Sequence, residues 1–212
     1  MEIKISKKPV KYEEAMEYLD ERVHQVSQNR NEELIWFLEH KSVYTCGVNF
    51  NQEDVLDKNV KIVKTNRGGK ITWHGPGQLI CYFVIDISKR KKDIRKFITA
   101  IENSIIKTLK DFKISSFSDR KNIGIWVLDK KEEKKIAAIG FRVKKWIAFH
   151  GFSLNLSNNL DSYKKIKSDK DLMLHAYSLK FYINNKKFFY KANPPVAFSK
   201  YLNKKKLNIL NF

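Results

Sequence analysis

Apolar positions along the chain change their period several times, and each change marks an element. Tyr12, Ala15, Met16, Leu19, Val23 and Val26 recur at three- and four-residue steps, which predicts an amphipathic helix. Leu34–Leu38 is a continuous apolar run and predicts a strand, and Val43–Cys46 predicts another. Lys61–Lys64 predicts a short strand that leads into a glycine-rich stretch, and Leu79–Ile87 a buried strand that leaves it. Helical spacing returns at Ile94, Phe97, Ile98, Ile101, Ile105 and Leu109. Ile123–Val127, Ile136–Ile139 and Trp146–Leu156 predict further strands, the first two joined by the charged turn Asp129–Glu133. A sheet with two main helices packed on it is an α+β pattern. No internal repeat is visible. The tail after Phe181 is rich in Lys and Asn, so residues 181–212 read as a divergent C-terminal segment, with a terminal helix expected to start at Pro194-Pro195.

Composition narrows this picture. The 212 residues suit one domain, 1–212, with enough chain to bury a core, and 42% hydrophobic content is ordinary for a soluble protein. The longest apolar run, Leu79–Ile85, is too short to span a bilayer. Glu2, Glu13 and Glu14 with no apolar segment near the N-terminus predict no signal peptide, and Cys46 and Cys81 form neither a disulfide framework nor a metal-ligand pattern. A cytoplasmic protein without metal, cofactor or membrane contact is expected. The net charge of +19 invites a nucleic-acid reading, but only seven of the 42 basic residues are arginine, the residue that reads phosphates and bases bidentately. No nucleic-acid partner is expected. Lys89–Lys92 and Lys204–Lys206 read as solvated surface, and the positive field would speed encounter with acidic proteins.

The candidate chemistry lies in Arg67-Gly68-Gly69-Lys70-Ile71-Thr72-Trp73-His74-Gly75-Pro76-Gly77-Gln78-Leu79, which holds half of the chain's 8 glycines. Glycine lets a ligand approach the main chain, so the stretch reads as a functional loop between strands. A tight turn would need no Arg67, Thr72, His74 or Gln78. The string resembles the signature of the octanoyltransferases, also called lipoyl(octanoyl) transferases. A second stretch agrees: Lys135-Ile136-Ala137-Ala138-Ile139-Gly140-Phe141-Arg142-Val143, then His150-Gly151-Phe152-Ser153-Leu154-Asn155. Tyr44-Thr45-Cys46-Gly47 is a weaker match. The resemblance covers roughly Tyr12 to Ile166.

The resemblance implies a catalytic fold of the biotin/lipoate protein ligase type and acyl transfer in two steps. Octanoyl passes from acyl carrier protein to an enzyme cysteine. The lysine of a lipoyl domain, in the E2 subunits of 2-oxoacid dehydrogenases or in the glycine cleavage H protein, then attacks that acyl-enzyme. Lys135 matches the family lysine that lowers the thiol pKa. Arg67, Gly68, Gly69, Lys70, Ile71, Thr72, Trp73 and His74 match substrate-contacting positions, as do Ala138, Ile139, Gly140, Gly151, Phe152 and Ser153. These three segments are expected to converge on one apolar pocket. His74 reads equally as a hydrogen-bond donor at the site and as a satisfied loop histidine, and His150 reads as structural.

The resemblance breaks where the family carries its nucleophile, in a Pro-Cys-Gly segment. Leu160, Tyr163 and Ile166 match the approach and Ser178-Leu179 the exit, but Ser168, Asp169 and Lys170 stand between. Asp169 occupies the cysteine position. A carboxylate forms only a labile anhydride and ionises near pH 4 unaided. Four readings stay open: an impaired or inactive homologue that binds acyl groups or lipoyl domains, direct transfer without a covalent intermediate, substitution by Cys46 or Cys81, and a local frame error over residues 168–177. An ATP-using ligase is a further alternative, against which His-Gly-Pro-Gly-Gln looks like the transferases.

Overall fold

The computed structural model describes residues 1–167 and Ser199. Asp169, the Ser178-Leu179 exit, Pro194-Pro195 and, apart from Ser199, the 181–212 segment with its expected terminal helix lie outside the described residues.

The described elements are, in chain order, β1 (Glu2–Ile5), α1 (Tyr12–Ser27), β2 (Leu34–Leu38), β3 (Val43–Cys46), β4 (Ile62–Lys64), β5 (Ile71–His74), β6 (Gln78–Asp86), α2 (Ile94–Asp111), β7 (Phe117–Ser118), β8 (Ile125–Asp129), β9 (Glu132–Lys144) and β10 (Ile147–Asn155). Short 3-10 helices occupy Gln52–Asp54, Ile87–Lys89 and Leu160–Lys165. The larger sheet runs β1-β2-β6-β10-β9-β8-β7, and a smaller one runs β4-β3-β5. No helix among the described residues is long and apolar enough to cross a membrane.

Alternation along the central strands explains the layers. On β6, Leu79, Cys81, Phe83 and Ile85 enter one core, where Phe97, Ile101, Ile105 and Leu109 of α2 cover them. Ile80, Tyr82 and Val84 point the other way, into a second core with Ala15, Leu19 and Val26 of α1. Both faces of β6 are therefore buried, which is why its sequence reads as an unbroken apolar run. A third cluster lies under the small sheet, built on Cys46, Ile71, Trp73, Tyr163 and Ile166.

The structure departs from the sequence reading at particular places. Strands β1 and β7 had no signal: β1 is a half-exposed edge paired only with β2, and β7 has two residues. The glycine-rich stretch is not one loop, because Ile71–His74 forms β5 in its middle and pairs antiparallel with β3. Strand β9 is far longer than Ile136–Ile139, and the turn before it is Lys130-Lys131 rather than Asp129–Glu133. Exposed lysines and glutamates at the ends of β9 hide its extent, since a strand edge in water needs no apolar side chains.

Candidate active site

One cavity of about 150 Å³ opens between the large sheet and the 67–74 segment. Arg67, Gly68, Gly69, Lys70, Ile71, Thr72 and His74 line one side. Lys135, Ala138, Ile139 and Gly140 of β9 and Gly151, Phe152 and Ser153 of β10 line another. The three segments expected to converge therefore meet, although β9 and β5 are far apart in the chain. Trp73 does not take part. Its indole donates to Ser42 Oγ at 2.9 Å and packs edge-on against Tyr163. Along β5, Thr72 and His74 share one face, and Trp73 shares the other with Ile71, whose side chain packs in the same cluster under the small sheet.

Lys135 reaches the cavity through a fault in the strand. Ile125 pairs with Ala137 and Trp126 with Lys135, so Ile136 is an extra residue in β9. Both Ile136 and Ala137 enter the core beneath α2. Without this bulge, the period of two would place Lys135 on the face of Ala137 and Ile139. The bulge turns it to the side of Ala138 and Gly140 instead. There Lys135 Nζ donates to the Ile123 carbonyl at 3.0 Å and stands 4.8 Å from the Trp126 ring.

Arg67 is fixed by the Tyr44-Thr45-Cys46-Gly47 motif. Its guanidinium donates to the Thr45 carbonyl at 2.9 Å, to Thr45 Oγ1 at 3.0 Å and to the Gly68 carbonyl at 2.9 Å. These partners are neutral, and burial lowers its pKa. Gly47 lies against the backbone carbonyls of Arg67, Gly68 and Gly69, so close that no Cβ would fit. The two motifs are thus one construction: β3 supplies the bed on which the loop lies.

A chain of buried polar groups closes the floor. Gln78 donates from Nε2 to Asn155 Oδ1 (2.9 Å) and to the Tyr163 hydroxyl (2.7 Å). Its Oε1 accepts from His74 Nδ1 at 2.7 Å. His40 donates from Nδ1 to the Val10 carbonyl (3.0 Å) and accepts the Tyr82 hydroxyl at Nε2 (2.8 Å). Burial lowers the pKa of His74 to about 3 and of His40 to about 4, so both rings are neutral. His150, read as structural, also stands at the cavity. Its backbone is left-handed at φ 69°, and its ring stacks on Phe149 with centroids 5.0 Å apart. Regular strand geometry would have pointed it under α2, beside Ala148 and Phe152. Its Nε2 donates to Asn66 Oδ1 at 2.9 Å, and its Nδ1 is buried without a partner among the described residues. Burial lowers its pKa to about 4.

The wall residues Tyr12, Ile80, Tyr82 and Ile123 were not singled out as site residues in the sequence, and Asn155 and Tyr163 were named only as matches to the resemblance. The first four read there as ordinary core or loop, and only the fold brings them to the cavity. Neither cysteine lines it: Cys46 lies under the small sheet, and Cys81 faces α2 with its thiol pKa pushed well up by burial. Substitution by either cysteine therefore has no geometric basis. The chain leading towards position 169 is anchored at the cavity. Tyr163 lines the wall, Ile166 is buried and bridged to Val55, and Lys167 N–H donates to the Asp54 carbonyl at 2.6 Å.

Comparison with known proteins bears on the family and the fold. The octanoyltransferase of Wolbachia pipientis subsp. Culex pipiens is 41% identical over 163 residues, which cover 76% of this chain and 80% of that one. The octanoyltransferase of Bartonella tribocorum is 42% identical over 176 residues, covering 78% and 72%. Among solved structures, the putative lipoate protein ligase of T. acidophilum with bound lipoic acid superposes with a TM-score of 0.74 at 13% identity, covering 100% of this chain and 86% of that one. Lipoate-protein ligase A bound with ATP gives 0.72 at 14% identity, with the same coverage, and at these identities the likeness concerns the α+β fold. The lipoyl protein ligase A/B catalytic domain matches residues 11–180, and the chain belongs to that family.

Proposed function

We propose that this chain is an acyltransferase that moves octanoyl from acyl carrier protein to the lysine of lipoyl domains, in E2 subunits and in H protein. One observation carries the reading. Three glycine- and small-residue-rich segments, 67–74, 138–140 and 151–153, line a single cavity that has Lys135 on its wall. Tyr12, Ile80, Tyr82 and Ala138 supply apolar wall for an alkyl chain, while Gly140 and Gly151 leave room beside the backbone.

In this reading Lys135 is the cation beside the acyl-transfer centre, where it stabilises a thiolate or the oxyanion of the tetrahedral intermediate. His74 is the positioning acceptor. Its Nδ1–H is held by Gln78, so the Nε2 lone pair can accept a hydrogen bond from the neutral attacking amine and aim it, while burial keeps the ring itself unprotonated. The amine nitrogen bonds to the thioester carbonyl, the carbon–sulfur bond breaks, and the amine proton goes to the departing sulfur, which leaves as thiol. Asp169 supplies no durable acyl acceptor, so transfer proceeds by direct attack within the bound pair and is slower than in a relative carrying cysteine there. The same residue favours a second reading, a non-catalytic acyl- or lipoyl-domain-binding protein on this scaffold.

The test is incubation with octanoyl-acyl carrier protein and a lipoyl domain, followed by mass spectrometry. Octanoylated lipoyl domain without an octanoyl adduct on the enzyme is expected. A hydroxylamine-sensitive adduct on Cys46 or Cys81 contradicts the direct route, and octanoyl-carrier binding without any transfer selects the second reading.

A further inference from the structure

The hairpin between β9 and β10 closes with a two-residue turn, Lys145-Trp146, whose φ values are 49° and 66°. Left-handed backbone at both positions is the type I′ geometry that favours Asn-Gly. The Lys130-Lys131 turn has the same geometry, with φ of 47° and 73°, so the backbone alone singles out nothing. The indole does. Of the chain's four tryptophans, Trp36, Trp73 and Trp126 are 3–5% exposed, whereas Trp146 is 40% exposed. It holds a large apolar ring in water at a position where glycine would be more stable.

The surroundings are basic. Ile87 N–H donates to the Trp146 carbonyl at 2.8 Å, which brings the segment before α2 beside the hairpin. Lys92 Nζ stands 5.8 Å from the indole centroid, and Lys89, Lys91, Lys144 and Lys145 are exposed around it. Ile94, 38% exposed, adds a second apolar side chain. The acidic neighbours are already engaged. Asp86 accepts from Ser88 and lies 3.9 Å from Lys89, Asp93 caps α2, and Glu33 pairs with Arg90 at 2.6 Å. A net positive rim remains around one apolar anchor.

We propose that this Trp146-centred patch docks an acidic protein, namely the carrier that delivers the acyl thioester. The partner's identity rests on the function proposed above. A bilayer fits less well. The apolar face of α2 is spent in the core through Phe97, Ile101, Ile105 and Leu109, so no amphipathic helix is left to lie on lipid. One indole inside a charged rim is the composition of a protein hot spot. The patch also suits the acyl donor better than the acceptor. Trp146 lies about five residues along β10 from Gly151, or about 17 Å at roughly 3.3 Å per residue. A lysine side chain cannot bridge that span, whereas a thioester on a long flexible arm can.

Tryptophan fluorescence tests this directly, because the other three indoles are buried. Titration of the full chain with octanoyl-acyl carrier protein should give a saturable blue shift, weakened several-fold between low and physiological salt. Lys91→Glu with Lys92→Glu should weaken binding at least tenfold. Lys145→Asn with Trp146→Gly should raise thermal stability and still lose at least tenfold in affinity. The same replacement at Lys130 and Lys131 should raise stability and leave affinity unchanged. Carrier binding, measured by calorimetry, that survives the Lys145/Trp146 replacement overturns the patch and leaves the functional reading intact. A Trp146 response to an isolated lipoyl domain or to phosphatidylserine vesicles instead of the carrier overturns it as well. No carrier binding at all overturns both.

Discussion

His74 Nδ1 and Gln78 Oε1 are 2.7 Å apart, and this bond decides the chemistry of the ring. Both N–H groups of Gln78 are spent on Asn155 and Tyr163, so its oxygen accepts and His74 donates. Among the described residues nothing bonds His74 Nε2. The imidazole is neutral, in a single tautomer, with its acceptor at the cavity. Removing the orienting amide should therefore cost more than one hydrogen bond. Gln78→Ala leaves the His74 Nδ1–H without an acceptor, at roughly 1–3 kcal/mol, and takes one of two partners from Asn155 Oδ1 and from the Tyr163 hydroxyl, which keep Asn158 and the Trp73 carbonyl. Urea denaturation should show a loss on the order of 3 kcal/mol. A loss under about 1 kcal/mol would mean that water replaces the amide.

Acid should destabilise the fold well above the carboxylate range. His40, His74 and His150 have folded pKa values of about 4, 3 and 4. The unfolded chain binds these protons near pH 6.5. Their stability contribution is complete above pH 6.5 and is lost as pH falls, until the folded groups themselves protonate between pH 4 and 3. At pH 5 each histidine costs about 2 kcal/mol relative to neutral pH, at 1.36 kcal/mol per pKa unit. Chemical denaturation at pH 7.5 and 5 should show a drop of several kcal/mol, and His150→Asn should reduce it by roughly a third. A flat profile over this range would show that the histidines titrate normally.

Two cavity glycines should behave differently when changed to alanine. A Cβ on Gly151 would fall inside the Cys81 carbonyl of the paired strand, so Gly151→Ala must force β10 from β6. Its expected cost is more than 3 kcal/mol, the range of overpacked backbone contacts. At Gly140 the nearest atom, the Gly68 carbonyl oxygen, is 3.6 Å away. Gly140→Ala should fold with little change in melting temperature and should weaken octanoyl-carrier binding by narrowing the cavity. Equal melting temperatures for the two variants would contradict the packing account.

The role assigned to Lys135 can be measured on an introduced thiol. In Asp169→Cys, alkylation rate against pH should report a thiolate pKa below the ordinary value of about 8.5. Adding Lys135→Ala should raise it by about one unit, because the cation favours the charged form. Identical profiles would place Lys135 too far from position 169 to act.

Local pattern was enough to specify several features. The stripes Tyr12–Val26 and Ile94–Leu109 repeat at helical spacing, and they became α1 and α2 because one buried face per helix suffices to dictate the period. The Arg67–Leu79 string exposed the candidate chemistry because so many glycines and polar side chains in one place serve no packing purpose. Other features exist only once strands pair. The bulge at Ile136 turns Lys135 into the cavity, and neither Lys135 nor Ile136 carries a local signal of it. His150 swings to the cavity face only because its backbone is left-handed in the middle of a paired strand. Thr45 and Gly47 acquire their purpose from Arg67 and Gly69, about twenty residues away, through β3–β5 pairing. Periodicity reports which face of an element is buried. Register and contact between distant segments are settled by how the faces fit together, and that is a property of the folded sheet rather than of any stretch of chain.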